Sequence, residues 1–245
     1  MMKEQSLQLI SQRPVAEKTY EMRLRGRELD EIRPGQFVDL KIPGFYLRRP
    51  LSVCNVEGDE LTLLYKEVGK GTHALTKMEA GRSIDALLGL GNGFDPAKSG
   101  DAPVLLGGGA GAAPLYYLAR VLRGQGRAVR AVLGFNKASE VFYQAEFEAL
   151  GVKTVICTVD GSVGTRGFVT AALPEAYSYT YACGPEPMLR AVYDAAVSGG
   201  QYSFEERMGC GFGACMGCTC ETLYGPKRIC KDGPVLEKEE IRWPT

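Results

Sequence analysis

Short runs of alternating apolar and polar residues fill the N-terminal part of the chain. Glycine, proline or charged turn residues separate the runs, which are SLQLISQRPV (6–15), TYEMRLRG (19–26), GQFVDLKIP (35–43), RRPLSVCNV (48–56), ELTLLYKEV (60–68) and RSIDALLGL (82–90). Short strands at such regular spacing are typical of antiparallel barrels. The pattern therefore predicts a small antiparallel β-barrel over residues 1–98, with a linker rich in Gly, Pro and Asp at 89–103.

The pattern changes after the linker. Apolar runs at 102–108, 128–135, 152–160 and 179–183 alternate with segments of helical periodicity over 112–124, 139–150, 167–173 and 185–198. Strands that alternate with helices predict βαβ units and therefore a parallel sheet. We expect an α/β domain over 99–203. From about 201 the pattern changes again, to a short cysteine-bearing segment that we assign as a third unit at 204–245.

The charge balance of the chain narrows the function classes. Its 29 basic residues are matched by 29 acidic ones, so the formal net charge is zero. Proteins that bind nucleic acid normally carry a basic excess, so we expect no nucleic-acid partner. His73 is the only histidine, and a Ser-His hydrolase or a His-rich metal site would depend on it alone.

One uncharged stretch approaches the length of a transmembrane helix. Residues 102–119 carry no charge over 18 positions, but they contain two prolines and four glycines. A strand, a glycine turn and a helix describe this stretch better than a bilayer-spanning helix of about 20 residues. The N-terminus also lacks the apolar core of a signal peptide. We therefore expect a cytoplasmic protein with no membrane partner.

Five of the eight cysteines lie close together near the C-terminus. Four follow the spacing Cys210-x4-Cys215-x2-Cys218-x11-Cys230, and Cys220 is the fifth. C-x4-C-x2-C with a distant fourth cysteine is the plant-type [2Fe–2S] spacing. Structural zinc is the alternative, but its ligands usually come as two close pairs, and Cys230 has no near neighbour in sequence. The spacing predicts the four cysteines as cluster ligands, and it favours Cys218 over Cys220.

A glycine-rich turn follows the first predicted strand of the parallel sheet. Its sequence, GGGAGAAP at 107–114, leads into a predicted helix. Gly108, Gly109 and Gly111 would let backbone N–H groups approach a dinucleotide pyrophosphate, whose charge a helix N-terminus favours. A purely structural turn is the alternative. The acidic residue that usually binds the ribose at the end of the next strand is missing, so NAD and NADP both stay open.

Several motifs in one order resemble those of the ferredoxin–NADP reductase superfamily. They are Arg49-Pro50-Leu51-Ser52, Gly69-Lys70-Gly71-Thr72, GGGAGAAP and Cys183-Gly184-Pro185-Glu186-Pro187-Met188. The cysteine motif with its Asp-Gly-Pro tail (232–234) narrows the resemblance to the electron-transfer subunits of class 1B, NAD-dependent dihydroorotate dehydrogenases, over essentially the full chain. The resemblance implies an FAD-binding barrel at 1–98, an NAD-binding domain at 99–203 and a [2Fe–2S] subdomain at 204–245.

The resemblance also implies roles for matched residues. The FAD-binding positions are Arg49, Pro50, Leu51 and Ser52 on one strand, Leu64, Tyr65 and Lys66 on a second, and Gly71 and Thr72 at a pyrophosphate turn. A guanidinium at Arg49 pairs well with phosphates, and the Ser52 hydroxyl suits the flavin ring edge. Leu51 stands where the superfamily often has tyrosine, which puts a stacking contact there in question.

The resemblance implies that two further strand ends face the nicotinamide cofactor. Cys183 matches the superfamily residue that lies near the nicotinamide, so it is the candidate catalytic residue, and a buried strand-end cysteine is the alternative. Asp160-Gly161-Ser162 ends another strand on the same edge of the predicted sheet and is a candidate cofactor contact. At the FAD turn, Thr72 is expected to be a helix N-cap.

The function that the resemblance implies is an electron relay. Electrons would pass from a dihydroorotate-oxidising, FMN-containing catalytic subunit through the [2Fe–2S] cluster and FAD to NAD⁺, in pyrimidine biosynthesis. The complex would be a heterotetramer with two chains of each kind. The alternative is the small subunit of an NADPH:ferredoxin or sulfide dehydrogenase-type oxidoreductase with the same cofactors.

Overall fold

The computed structural model describes residues 2–243 of the chain. Its N-terminal strands are β1 (Lys3–Ala16), β2 (Thr19–Arg25), β3 (Phe37–Lys41), β4 (Arg49–Glu57), β5 (Glu60–Lys66) and, after helix α1 (Lys70–Thr76), β6 (Ser83–Leu90). They form a closed barrel in the order β1-β2-β5-β4-β3-β6, and every neighbouring pair is antiparallel. The predicted antiparallel barrel is confirmed, strand by strand.

Alternate residues along the strands fill the barrel. Leu7 and Leu9 on β1 are fully buried in one apolar cluster with Val38 and Leu40 on β3. Successive side chains of a strand point to opposite faces, so residues two apart share the interior. The period-two pattern of the sequence is therefore the direct cause of this core.

The outer face of β3 and β6 is covered by protein. Phe37 and Asp39 alternate with the core residues of β3, and Leu87 on β6 is paired with Asp39. All three are buried, and Phe37 and Leu87 belong to an apolar cluster that also contains Cys218 and Cys230. The cysteine-bearing segment is thus packed directly on this β3–β6 face of the barrel.

Strands and helices alternate in the second part of the chain. In order they are β7 (Val104–Gly108), α2 (Ala112–Gly124), β8 (Arg130–Phe135), α3 (Gln144–Ala149), β9 (Lys153–Thr158), β10 (Thr165–Arg166), β11 (Thr180–Cys183), α4 (Glu186–Ala195), β12 (Gly200–Ser203), β13 (Thr219–Thr222), β14 (Gly225–Arg228) and β15 (Val235–Glu237). Seven of these strands form a sheet in the order β10-β9-β8-β7-β11-β12-β15, and only β15 in it is antiparallel to its neighbour. The predicted parallel sheet is confirmed.

Helix α2 spans the predicted residues and joins the two domains. Its Tyr117 hydroxyl donates to the carbonyl oxygen of Ile32 at 3.0 Å, and the Arg120 guanidinium donates to that of Val56 at 2.8 Å. Both acceptors lie in the barrel part of the chain. Side chains of the helix that follows the glycine turn therefore hold the barrel and the sheet domain together at the cleft.

The helix predicted over 139–150 is shorter than expected. A single 3-10 turn covers Ala138–Glu140, and α3 begins only at Gln144, because Tyr143 has a left-handed backbone with φ of 63°. The Tyr143 hydroxyl donates to the buried Glu21 carboxylate of β2 at 2.7 Å. This contact with the barrel interrupts the predicted helix at Tyr143.

The C-terminal segment leaves the sheet and returns to it. Strand β12 belongs to the sheet, although the sequence predicts that the α/β pattern ends at about residue 201. Strands β13 and β14 then form a hairpin, and β15 pairs with β12. Between residues 2 and 243, no helix combines the length and the apolar character that crossing a bilayer requires.

Candidate cofactor sites

The two predicted FAD motifs meet at Arg49 and Gly71. The Arg49 guanidinium donates to the carbonyl oxygens of Leu47 (2.6 Å) and Arg48 (3.1 Å) and lies 5.1 Å from the centre of the Phe45 ring. A Cβ atom at Gly71 would overlap this guanidinium, so a larger residue there would displace Arg49 from its present position. A guanidinium without a carboxylate partner among residues 2–243, placed beside the start of α1, suits the phosphates of FAD.

Thr72 shapes this turn in a different way from the one expected. The N-cap of α1 is Gly69, not Thr72. The Thr72 hydroxyl accepts from the backbone N–H groups of Val68 (3.0 Å) and Gly69 (3.1 Å), which is the reciprocal half of a capping box. Thr72 therefore stabilises the turn from the third helical position, and its hydroxyl is already engaged.

The second predicted FAD strand offers few free side chains. Leu64 and Tyr65 are 4% and 2% exposed, and the Tyr65 hydroxyl donates to Gln12 at 2.7 Å. Lys66 reaches the cleft, where its Nζ lies 3.4 Å from the Glu140 carboxylate. Contacts from this strand to a flavin would come from its backbone or from Lys66. On β4, Pro50, Leu51 and Ser52 are half-buried.

A cavity of about 490 Å³ opens at the carboxyl ends of β7 and β8. Gly108, Gly109 and Gly111, the predicted nucleotide-binding glycines, line it, together with Lys66 of the barrel and Met188 of α4. The edge of an α/β sheet at its strand ends is where such folds bind dinucleotides. The cavity thus extends from the glycine turn to the barrel, as a shared flavin and nicotinamide site requires.

Cys183 lies behind the glycine turn. It ends β11, is 2% exposed, and its carbonyl oxygen abuts Gly111. Burial raises the pKa of the Cys183 thiol to about 12, so the thiol is neutral at physiological pH. The catalytic role assigned to Cys183 stays a prediction; a neutral thiol at this position suits shaping of the site rather than proton transfer.

The sequence pattern missed Glu140, one of the two acidic residues that line the cavity, the other being Glu205. Glu140 lies beyond the end of β8, a few positions after the expected place of a ribose ligand, and its carboxylate accepts from the Asn136 amide at 2.9 Å. A 3-10 turn carries it back to the cleft. At the next strand end, Asp160 accepts from the backbone and the hydroxyl of Ser162, which orders this exposed loop. The sequence signal for Glu140 is an acidic residue a few positions after the end of a predicted strand.

The four predicted cluster ligands lie as two pairs. The backbone N–H groups of Ala214 and Cys215 donate to the Cys210 sulfur at 3.2 and 3.4 Å, and the Cys210 and Cys215 side chains interact with each other. The backbone N–H of Cys230 donates to the Cys218 sulfur at 3.4 Å, and those two side chains also interact. Each iron of a [2Fe–2S] cluster takes two thiolates, so two cysteine pairs suit this group, although among residues 2–243 no three metal-ligating side chains converge on one point.

The electrostatics of the cluster loop, residues 209–218, favour a thiolate at Cys210, whereas those at Cys230, outside the loop, favour the neutral thiol. Burial raises the pKa of Cys210, but N–H groups of Cys215, Phe212 and Ala214 outweigh it and lower that pKa to about 6. Burial and the neighbouring Cys218 raise the pKa of Cys230 to about 12. Metal ions deprotonate coordinating thiols outright, and N–H groups aimed at sulfur stabilise the resulting charge.

The two pairs differ in their exposure. Cys215 is exposed at the tip of the cluster loop, while Cys218 and Cys230 are each 2% exposed against the β3–β6 face. Cys220 lies on β13 and lines a second cavity, of about 470 Å³, together with Trp243. The structure therefore places Cys218, rather than Cys220, beside Cys230.

Comparison with known proteins agrees with this geometry. Residues 205–242 match the family model of the iron–sulfur cluster binding domain of dihydroorotate dehydrogenase B, which decides between iron–sulfur and zinc in favour of iron–sulfur. The chain is similar to a solved NADH-dependent reduced ferredoxin–NADP oxidoreductase, with a TM-score of 0.87 and 28% identity over 97% of this chain and 90% of that one. It also resembles the Amycolatopsis cytochrome P450 reductase GcoB, with a TM-score of 0.71 and 26% identity over 79% and 65% of the two chains.

Relatives of known name match along their whole length. The electron transfer subunit of dihydroorotate dehydrogenase B (NAD(+)) from Geobacillus sp. (strain WCH70) is 44% identical over 98% of this chain and 99% of its own. The corresponding subunit from Bacillus pumilus (strain SAFR-032) is 43% identical over 98% of both chains. Identity at this level over full length shows common descent, and the chain belongs to the family of dihydroorotate dehydrogenase B electron transfer subunits.

Proposed function

We propose that this chain is the electron-transfer subunit of an NAD-dependent dihydroorotate dehydrogenase. It carries electrons from a dihydroorotate-oxidising, FMN-containing subunit through a [2Fe–2S] cluster and FAD to NAD⁺, in pyrimidine biosynthesis. The observation that carries the proposal is the position of the two sulfur pairs. One pair reaches the surface at Cys215, and the other is buried against the barrel that holds the FAD motifs.

The residues of the chain bind and align cofactors and exclude water. Arg49 and the turn at Gly71 would hold the FAD phosphates, the glycine turn at 108–111 would hold NAD, and the four cysteines would hold the cluster. When bound, FAD exchanges electron pairs with nicotinamide and single electrons with an iron–sulfur cluster. Hydride transfer between aligned rings needs no general base, which agrees with His73, the only histidine, being 58% exposed at its side chain and engaged with Glu67.

The tip of the cluster loop is the proposed docking side for the FMN-containing subunit. Phe212 and Met216 flank Cys215 and are 43% and 54% exposed, and Leu223 and Tyr224 in the β13–β14 turn are 60% and 77% exposed. Large exposed apolar side chains on one segment favour an interaction surface there. Docking here would bring the partner to the exposed sulfur pair, in a heterotetramer with two chains of each kind.

We place the complex in the cytoplasm. None of the eight cysteines forms a disulfide within residues 2–243, and three of them are buried in the barrel and the sheet. Reduced thiols and a thiolate-bound cluster suit a reducing compartment. The proposal is supported by this cysteine chemistry and by the biosynthetic role of the reaction.

A second candidate is the small subunit of an NADPH:ferredoxin or sulfide dehydrogenase-type oxidoreductase. The observation that favours it is the similarity to the NADH-dependent reduced ferredoxin–NADP oxidoreductase over 97% of the chain. Sequence identity is 28% in that comparison and 44% with the Geobacillus electron transfer subunit, so the first proposal is better supported.

Reconstitution tests the proposal. The full chain, purified with the FMN-containing subunit, is expected to contain iron, sulfide and FAD and to reduce NAD⁺ when dihydroorotate is added. The chain alone should oxidise NADH with an artificial acceptor and leave dihydroorotate unchanged. A colourless, zinc-containing protein would contradict the cofactor assignment. Electron transfer to ferredoxin with none from dihydroorotate would favour the second candidate.

A further inference from the structure

A buried carboxylate lies between the barrel and the cluster loop. Asp39, at the centre of β3, is 2% exposed, and its Oδ1 has no hydrogen-bond partner among residues 2–243. A buried polar atom without a partner costs free energy, so it requires an explanation at the place where it occurs. Neither the FAD motifs nor the glycine turn uses this side chain.

Asp39 faces the residue that follows the first cluster cysteine. A Cβ atom at Gly211 would lie 2.5 Å from Asp39 Oδ2 and 3.3 Å from Asp39 Cγ. Gly211 also has φ of 77°, a left-handed conformation that favours glycine. The backbone next to Cys210 is therefore seated directly on the carboxylate.

The charges around Asp39 come from both sides of this contact. Burial raises the pKa of Asp39 to about 6; nearby Arg48 and Arg49 oppose this effect and Cys210 adds to it. The Arg48 guanidinium does not bond to the Asp39 carboxylate. It donates to the Glu4 carboxylate at 2.6 Å and, at 3.4 Å, to the backbone carbonyl oxygens of Asp39 and Asp85. Among residues 2–243 no side-chain cation is bonded to the Asp39 carboxylate.

We infer that Asp39 is a positioning residue of the electron path, which seats the cluster loop on the barrel and places a negative charge beside the cluster. The inference rests on the proposed function. Cluster potentials depend on net charge and on hydrogen bonding near the sulfurs, and a nearby anion opposes the gain of an electron. Asp39 therefore lowers the midpoint potential of the cluster and shifts the one-electron equilibrium toward transfer from the cluster to FAD.

The test compares three variants of the full chain at pH 8. Asp39→Asn removes the charge and keeps the shape, Asp39→Glu keeps the charge, and Asp85→Asn removes an exposed carboxylate from β6 as the matched control. For each protein the iron and FAD per chain are measured, and the midpoint potential of the cluster is obtained by redox titration followed by EPR.

Asp39→Asn is expected to favour the reduced cluster by about tenfold, which is a rise of about 59 mV for a one-electron couple. Asp85→Asn should leave the potential at the wild-type value, because solvent and salt screen an exposed charge. FAD content should be the same in all variants. An Asp39→Asn protein with full iron and the potential of the Asp85→Asn control would overturn the inference.

Loss of the cluster in Asp39→Asn also has a defined meaning. If Asp39→Glu then keeps its iron, the negative charge is required and the inference holds; if both variants lose iron, a negative charge at this position does not suffice to hold the cluster and the inference is wrong. The readout does not involve dihydroorotate. A wild-type chain without iron would refute the proposed function, whereas a wild-type chain with iron and an unchanged Asp39→Asn potential refutes this inference alone.

Discussion

Neighbouring groups order the Arg49 side chain without a bound ligand. Its guanidinium donates to two carbonyl oxygens of the preceding residues and lies over the ring of Phe45, while Gly71 leaves room on the other side. A planar guanidinium that is already ordered loses little entropy when it binds a phosphate. Among the matched FAD residues, Arg49 should therefore contribute most to affinity.

Replacing Arg49 with alanine is expected to weaken FAD binding by about 10- to 100-fold, since hydrogen bonds to charged groups contribute about 1.5–3 kcal/mol. Flavin fluorescence during titration of the apoprotein measures the dissociation constant. Arg25→Ala is the matched control, because Arg25 lies on the same barrel but pairs with Asp59 and Glu60 at the surface. Equal FAD affinity in the two variants would contradict the role of Arg49.

Substitution distinguishes a predicted cluster ligand from the additional cysteine, Cys220. Cys215→Ser is expected to lose the cluster and to keep NADH oxidation by FAD with an artificial acceptor, because the FAD motifs lie in the barrel. Cys220→Ser should keep its iron, since Cys220 lines a different cavity. Iron and labile sulfide per chain are the measurements. Loss of iron from Cys220→Ser would show that the ligand set is wrong.

At the scale of elements, helix α3 shows how a tertiary contact overrides local pattern. Residues 139–150 have helical periodicity, yet Tyr143 interrupts it to reach Glu21, which is also bonded by both ends of the Arg13 guanidinium. The six barrel strands and α2 follow the pattern because their own apolar spacing decides their burial. Strand β12 was missed because buried Gln201 and Ser203 give it no apolar alternation.

Tyr143→Phe is expected to lower the free energy of unfolding by about 1–3 kcal/mol at pH 7, because it removes a buried hydrogen bond to a charged group. Burial raises the pKa of Glu21, but hydrogen bonds from Arg13 and Tyr143 outweigh it and leave the pKa lowered. Such a carboxylate stabilises the fold above its unfolded pKa of about 4.3 and loses that contribution as pH falls through the folded value.

The difference between wild type and Tyr143→Phe should therefore shrink as the pH is lowered from 7 toward 3. Urea unfolding at a series of pH values measures it. Tyr46→Phe is the control, because the Tyr46 side chain is fully exposed. A Tyr143→Phe effect that stayed constant over this range would show that the charge of Glu21 plays no part.

At the scale of the molecule, the sequence predicts the ligands and motifs better than their surroundings. Cysteine spacing and the Arg49 motif identify sites because each carries its chemistry within a few residues. Short motifs do not identify Glu140 in the cavity or Asp39 beneath the cluster loop. Glu140 meets Lys66 and Asp39 meets Gly211, and each of these contacts joins residues far apart in sequence. Only folding brings those residues together.

The proposed docking surface gives a prediction for the assembly. Tyr224→Asp is expected to weaken association with the FMN-containing subunit by at least about 10-fold, which is about 1.4 kcal/mol, because interface centres are depleted of charge and enriched in aromatic residues that contribute to affinity. Val197→Asp, at an exposed apolar residue beyond α4, should have no effect. Size-exclusion chromatography and NADH oxidation with an artificial acceptor are measured together. Unchanged assembly in Tyr224→Asp would place the interface elsewhere.

The return of the chain to the sheet at β15 makes the cysteine-bearing segment an insertion between two paired strands, β12 and β15. A segment tethered at both ends has already paid most of its loop-closure entropy before any metal arrives. Cluster assembly can then be a late event on a finished scaffold. Removing iron should loosen residues 204–234 while the barrel and the parallel sheet remain folded, so that the same protein can be emptied and refilled without passing through the unfolded state.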